Sequence, residues 1–188
     1  LLVTQVSYIQ DPPVSISSAT FDGNAMTQAV KETLYSGDTE YITELYYIAN
    51  PGTGSATVSI TFSTNANWCS GAASFFNVDI EDPLDNTAKA TAAVGGTSTS
   101  ITVVENALIV DGIAHAAAVE RAPGGSQTLI YSDTIVVGNS GGSSYRLASA
   151  AGSYSMDWTG STGDGWSHCL ASFKPALQTG GGFIFNLL

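Results

Sequence analysis

The residues best equipped for chemistry stand at 79–86, Asp-Ile-Glu-Asp-Pro-Leu-Asp-Asn, where Asp79, Glu81, Asp82 and Asp85 crowd together beside Asn86. Clustered carboxylates with an amide are the donor set of Ca²⁺, which takes about six to eight oxygens. The spacing of a helix–loop–helix calcium site is missing, with no central glycine and no glutamate closing the loop. The stretch therefore reads first as a solvated acidic loop and second as a weak Ca²⁺ candidate; no other cofactor is expected. His115 and His168 are the two imidazoles. Neither stands at ligand spacing to Cys69 or Cys169, so a four-ligand zinc site is not expected. A serine hydrolase needs a hydroxyl, an imidazole and an acid to converge. No partner is specified by spacing for either histidine, so both are expected to be structural. Residues 138–144, Gly-Asn-Ser-Gly-Gly-Ser-Ser, lack the Lys-Ser/Thr pair and following helix of a phosphate loop and read as a hairpin tip. Paired carboxylates for glycoside hydrolysis meet only in three dimensions, and nothing in the spacing favours them. The expectation is a protein that is not an enzyme, with hydrolase the last of the alternatives.

Rings offer a different chemistry. Tyr35, Tyr41, Tyr47, Tyr145, Tyr154 and Trp158 are rigid amphipathic groups of the kind that suits wet contact surfaces. Tyr145, Tyr154 and Trp158 are accordingly candidates for stacking on sugars, and a carbohydrate-binding module is the alternative function.

The elements that must position these groups follow a period of two. Val58, Ile60 and Phe62 alternate with Thr57, Ser59 and Thr61, as on a strand buried on one face. Ile42, Glu44, Tyr46 and Ile48 likewise oppose Tyr41, Thr43, Leu45 and Tyr47. Residues 100–116 read as two strands broken at Glu105-Asn106, and 127–137, 154–160 and 166–173 as further strands. Turn chemistry separates them at Asp11-Pro12-Pro13, Asp22-Gly23-Asn24, Ser36-Gly37-Asp38 and Asn50-Pro51-Gly52. The best helical candidate, residues 86–95, is short and rich in Ala and Thr, and reads as strand or loop. The pattern predicts an all-β fold, an antiparallel β-sandwich of jelly-roll or immunoglobulin-like kind.

One internal echo stands out. Aligning Trp68–Phe75 with Trp166–Phe173 makes Trp, Ala, Ser and Phe recur at identical offsets. Alternation puts Cys69, Ala73 and Phe75 on one face, and Cys169, Ala171 and Phe173 on the equivalent face. A disulfide between Cys69 and Cys169 and two free buried thiols both fit this arrangement.

Composition bounds the function. The chain has 188 residues, one domain's worth, with 11% charged and 44% hydrophobic residues. Its net charge of -11 repels phosphate backbones and anionic lipid, so no nucleic-acid partner is expected. No run approaches the ~18 apolar residues of a membrane span, and no membrane insertion is expected. Low charge with abundant Ser, Thr and Gly suits an extracellular location, at a cell or virion surface. The chain opens on Leu1 rather than a methionine, and a removed start is expected.

Four stretches together resemble a widespread family of all-β modules found in bacterial secreted and cell-surface proteins and in phage structural proteins. They are Phe21-Asp22-Gly23 to Met26-Thr27, Glu44-Leu45-Tyr46-Tyr47 to Asn50-Pro51, residues 71–86, and Trp166 to Ala176. The resemblance spans about Leu2 to Ala176. It departs at Asp22, where the family has glycine, and at the cysteines, where it has small residues. It implies a structural or adhesive module without a catalytic centre.

That assigns residues 1–176 to a sandwich domain and 177–188 to a tail, in which Gly180-Gly181-Gly182 lead into Phe183, Ile184, Phe185, Leu187 and Leu188. Glycines hinge, and the apolar end needs a cover. Either the chain's own sandwich or a neighbouring subunit supplies it, the latter by strand exchange. Leu1-Leu2-Val3, an apolar start, is the expected docking edge. The function read from the sequence is a non-catalytic structural or adhesive subunit of an extracellular filament, adhesin or virion. Its expected partners are itself or other structural subunits, with glycans as the alternative.

Overall fold

A computed structural model describes residues 1–10, 14–119, 121–135, 138–159 and 165–176. They form an all-β antiparallel sandwich, with no helix among the described residues. The first half contributes β1 (Leu2–Gln10), β2 (Ile16–Phe21), β3 (Asn24–Ala25), β4 (Thr27–Ser36), β5 (Thr39–Ile48), β6 (Val58–Phe62) and β7 (Asn67–Ser74). The second contributes β8 (Leu84–Ala92), β9 (Thr97–Val103), β10 (Leu108–His115), β11 (Ala122–Pro123), β12 (Thr128–Ile135), β13 (Asn139–Leu147), β14 (Gly152–Thr159) and β15 (Trp166–Phe173).

Two larger sheets, β4-β5-β1-β7 and β12-β13-β10-β15-β8, pack face to face. Each is covered on its other face by a three-stranded sheet, β3-β2-β6 on the first and β11-β14-β9 on the second. The stack has four layers rather than two. Alternation explains why. Leu1, just before β1, and Val3 on it face the second large sheet, against Leu108, Val110, Ala171 and Phe173. Leu2, Val6 and Tyr8 face the small sheet, among Ala19, Phe21, Ile60 and Phe62. A strand apolar on both faces is stable only when both are covered. Leu1-Leu2-Val3 is therefore not the open docking edge that its terminal position suggests. β1 is bonded on both sides, with Leu2 opposite Ile48 in β5 and Ser74 in β7, and all three side chains are buried.

Residues 138–144 correct a second expectation. Most of them form the start of β13, a central strand buried from Asn139 to Ser144, and not a hairpin tip. Their glycines are spacing devices. A Cβ on Gly142 would lie 2.8 Å from the Trp158 ring, and one on Gly141 would collide with Cys69 and Ser7. Small residues here let the layers approach closely. Positive φ marks turns such as Asp22 (50°) and Gly23 (76°) between β2 and β3, and Asn106 (60°) before β10.

The echo between Trp68–Phe75 and Trp166–Phe173 is the visible part of an internal repeat. β1 pairs with β5 and β7, and β4 with β5. β10 pairs with β13 and β15, and β12 with β13, in the same order. Both hairpins carry a bulge at the matching step, between Gln28 and Val30 opposite β5 and between Leu129 and Tyr131 opposite β13. Each β1–β7 partner pair has its counterpart: Tyr8 opposite Trp68 corresponds to His115 opposite Trp166. The units face each other about a pseudo-two-fold axis, which makes their contacts reciprocal. Tyr47 meets the edge of Phe173 at 5.4 Å and 66°, and its counterpart Tyr145 meets Phe75 at 5.3 Å and 69°. Such edge-to-face pairs contribute about 0.5–1.5 kcal/mol each beyond burial.

Candidate functional site

The strongest concentration of chemistry lies under the outer sheet of the second unit, centred on Asp111. The apolar stretch from Leu108 to Ile113 makes β10 a central strand, and alternation turns Asp111 toward β9 and β14 with Ile109 and Ile113. Asp111 is 0% exposed. A carboxylate in that position is tolerable only if donors saturate it. Ser144 of β13 donates from its backbone N at 2.9 Å and its hydroxyl at 2.6 Å to Oδ1. Trp158 Nε1 donates to Oδ2 at 2.7 Å, and His168 Nε2 stands 3.0 Å from the same oxygen. Gln127 braces the cluster through the Ser144 hydroxyl at 2.8 Å.

His168 Nδ1 lies 2.9 Å from Thr99 Oγ1, which completes a hydroxyl–imidazole–carboxylate series. With Nε2–H pointing at Asp111, Nδ1 accepts from the threonine hydroxyl, and the series has the order of a nucleophile, base and acid. It lacks an approach. His168 is 0% and Thr99 8% exposed, and the indole of Trp158 packs over the cluster from β14. His115 repeats the pattern in minor form, its Nε2 2.9 Å from Thr97 Oγ1. Residues 138–142, Gly-Asn-Ser-Gly-Gly, also fit the Gly-x-Ser-x-Gly spacing of a hydrolase nucleophile. That motif works on an exposed strand-to-helix turn. Here Ser140 is buried inside extended β13 opposite His115.

A second buried carboxylate, Glu44, sits between the first large sheet and its small cover. Tyr8 and Lys31 reach Oε1 at 2.5 and 3.0 Å, and Tyr46 and Gln28 reach Oε2 at 2.6 and 2.5 Å. Burial first, and the hydrogen bond to Glu44 second, raise both phenols above their ordinary value. A third polar cluster joins the two large sheets. Gln5 Nε2 donates to Ser7 Oγ at 2.7 Å and Thr43 Oγ1 at 2.6 Å, and Tyr131 donates to Gln5 Oε1. Sequence reading gives none of these acids a role. The available signal was an acid interrupting an apolar face, Glu44 between Ile42 and Tyr46, and Asp111 between Ile109 and Ile113.

The remaining candidates disperse. Cys69 and Cys169 are both buried free thiols, so the bridge that their shared orientation allows is not formed. They have separate neighbours: Cys69 lies 3.8 Å from the Tyr131 hydroxyl, while Cys169 donates to the Thr43 carbonyl at 3.4 Å. Burial pushes the Cys69 thiol up to about 12 and raises Cys169 as well. Trp158 is no sugar platform, because its ring is buried as the lid on Asp111. Tyr145 is half-buried against Phe75, and Tyr154 stacks under Arg146 at 4.8 Å. In the acidic loop, Asp79 caps the backbone N–H groups of Glu81 and Asp82, which lowers its pKa. Asp82 pairs with Lys174 at 2.5 Å, and Asp85 accepts from Val104 N and the Ser172 hydroxyl. Three of the four carboxylates, those of Asp79, Asp82 and Asp85, are engaged in separate turns and ties. No group of three or more metal-ligating side chains occurs among the described residues. The tail residues Phe183, Ile184, Phe185, Leu187 and Leu188 lie outside the described residues.

A cleft of roughly 1160 Å³ opens elsewhere, at the end of the sandwich where Phe75, Tyr145 and Phe173 meet. Phe76 and Leu147 on its walls are 87% and 67% exposed.

The burial of the phenols and thiols has a measurable sign. Each group has a raised folded-state pKa, so its contribution is fully present below the unfolded value and is lost as pH rises. For the thiols that begins near pH ~9 and for the phenols near pH ~10. Urea midpoints are expected to fall steadily between those pH values and above. Both thiols are expected to ignore a disulfide reagent at neutral pH until the chain unfolds. Fast thiol reaction in the native protein would contradict this account.

The chain matches no family model, and no curated protein or solved structure is similar to it.

Proposed function

We propose that the chain is a non-catalytic structural or adhesive subunit of an extracellular assembly. The observation that carries this reading is the sealing of the Thr99–His168–Asp111 series. Among the described residues, the array with the order of a catalytic triad is closed between two sheets, and its donors are consumed in saturating a buried acid. Buried carboxylates held this way register layers against one another, since a slipped strand would strand a charge. The surface supports the same reading. Two of the most exposed large apolar side chains, Phe76 and Leu147, line the end cleft, where another subunit would cover them. The resemblance to secreted and virion modules agrees with it.

A carbohydrate-binding module is the second reading, favoured by Trp68. This indole is 44% exposed and tilts against Phe62 at 5.6 Å, a ring surface better placed for sugars than Tyr145, Tyr154 or Trp158. Electron microscopy and light scattering of the purified protein, with a glycan array alongside, separate the two. The structural reading expects filaments or particles and no glycan retention. A monomer held by a polysaccharide, and released by Trp68→Ala, would replace it with the second reading.

A further inference from the structure

A sheet edge carries unpaired backbone groups to which another strand can add, unless charge, proline or a bulge blunts it. The two large sheets end in β4, β7, β12 and β8. Three of these edges are blunted. β4 carries Lys31 and Glu32 and β12 carries Asp133, each with a bulge in its pairing, at Gln28/Val30 and Leu129/Tyr131. β8 carries Asp85 and Lys89, and its register on β15 shifts between Ser172 and Phe173. β7 has no charged residue and no proline, and its register on β1 runs unbroken from Asn67 to Ser74. Among the described residues it is bonded to β1 alone, and Trp68, Ala72 and Ser74 are exposed.

The ladder fixes which groups face outward. Leu1 N donates to Phe75 O at 3.0 Å and Phe75 N to Leu1 O at 2.8 Å, so these two residues form a hydrogen-bonded pair. In an antiparallel ladder such pairs recur at every second residue. Ala73, Gly71, Cys69 and Asn67 therefore turn their N–H and C=O groups toward β1, and Ser74, Ala72, Ser70 and Trp68 turn theirs to the open edge. The internal repeat shows that an edge in this position takes a strand, because β15, the counterpart of β7, is paired there by β8 from outside its own unit.

We propose that β7 docks a second copy of this chain, the two β7 strands pairing antiparallel about a two-fold axis at Gly71. Three observations select a second copy as the occupant. Copies with a net charge of -11 repel, and β7 is the large-sheet edge at which no charged residue opposes their approach. The pairing is self-complementary, as a two-fold contact requires. Centred on Gly71, it sets Trp68 opposite Ser74 and Ser70 opposite Ala72 of the other copy, so every outward N–H and C=O of the strand finds a partner. The same register brings the exposed Trp68 diagonally beside the exposed Phe76 of the other copy, twice over, and covers both. The first large sheets of the two copies then form one continuous sheet. This inference stands on the edge itself and does not depend on the proposed function: a dimer that forms no filament or particle would refute that function and leave the edge pairing intact.

Amide exchange of the full chain, followed residue by residue at two protein concentrations, tests it. The amides of Trp68, Ser70, Ala72 and Ser74 are expected to slow by on the order of 100-fold between micromolar and millimolar protein, while those of Cys69, Gly71 and Ala73 stay constant as an internal reference. Analytical ultracentrifugation is expected to show a dimer over the same range. Ala72→Lys, at an exposed position, is expected to weaken that dimer by about 100-fold with the melting temperature unchanged, although it lowers the net negative charge. Thr87→Lys, on the edge strand β8, is expected to leave it intact. Outward amides protected equally at both concentrations would mean that the chain covers its own edge, and would overturn the proposal. Outward amides that exchange fast throughout, or a dimer that survives Ala72→Lys, would overturn it as well.

Discussion

Asp111→Ala is expected to lower the melting temperature by about 10 °C, from a loss of roughly 3–5 kcal/mol. The carboxylate is shared by donors from three other strands: Ser144 of β13, Trp158 of β14 and His168 of β15. Removing it leaves an indole N–H, a hydroxyl and an imidazole buried without their acceptor, and the cost is that of desolvated donors rather than of one contact. Asp111→Asn refines the test. Its amide oxygen can still accept from Ser144, but its NH₂ then faces the Trp158 N–H, which cannot reverse its role. A smaller loss of about 2 kcal/mol is expected. Circular dichroism melts with Trp fluorescence check both. A melting temperature within about 2 °C of the parent for the alanine variant would mean that the cluster is not what joins the second large sheet to its cover.

The second large effect is expected at Gly141. A methyl group there would fall against Cys69 and Ser7, side chains of the facing sheet, with no flexible end to yield. Gly141→Ala should cost about 2–3 kcal/mol and Gly141→Val should abolish folding. Cys69→Ala removes one of the two obstacles, so the double variant with Gly141→Ala should recover part of the loss. Additive losses in the double variant, measured by urea unfolding, would contradict the contact.

Much of the architecture was legible in alternation alone. The face of β5 that carries Ile42, Glu44, Tyr46 and Ile48 is the face that meets the small sheet, as the period of two predicts. Asn106, where 100–116 was expected to break, holds a positive φ in the turn before β10. Residues 138–144 misled because glycine and serine carry the statistics of a turn. Their role in β13 comes from the neighbours that they admit, Trp158 on one face and Cys69 on the other. Trp158 looked like a contact ring because its partner acid lies 47 residues away in sequence. Leu1 to Val3 looked like an edge because sequence order places them at an end, while strand order places β1 between β5 and β7.

The sequence by itself determined the class of fold, the faces of its strands and the repeat between Trp68 and Trp166, because these depend on residues a few positions apart. Tertiary structure alone decided which acids were buried, which hydroxyl met which imidazole, and that a triad-like series was closed to solvent. Those outcomes rest on pairings between strands distant in the chain, and no local period encodes them.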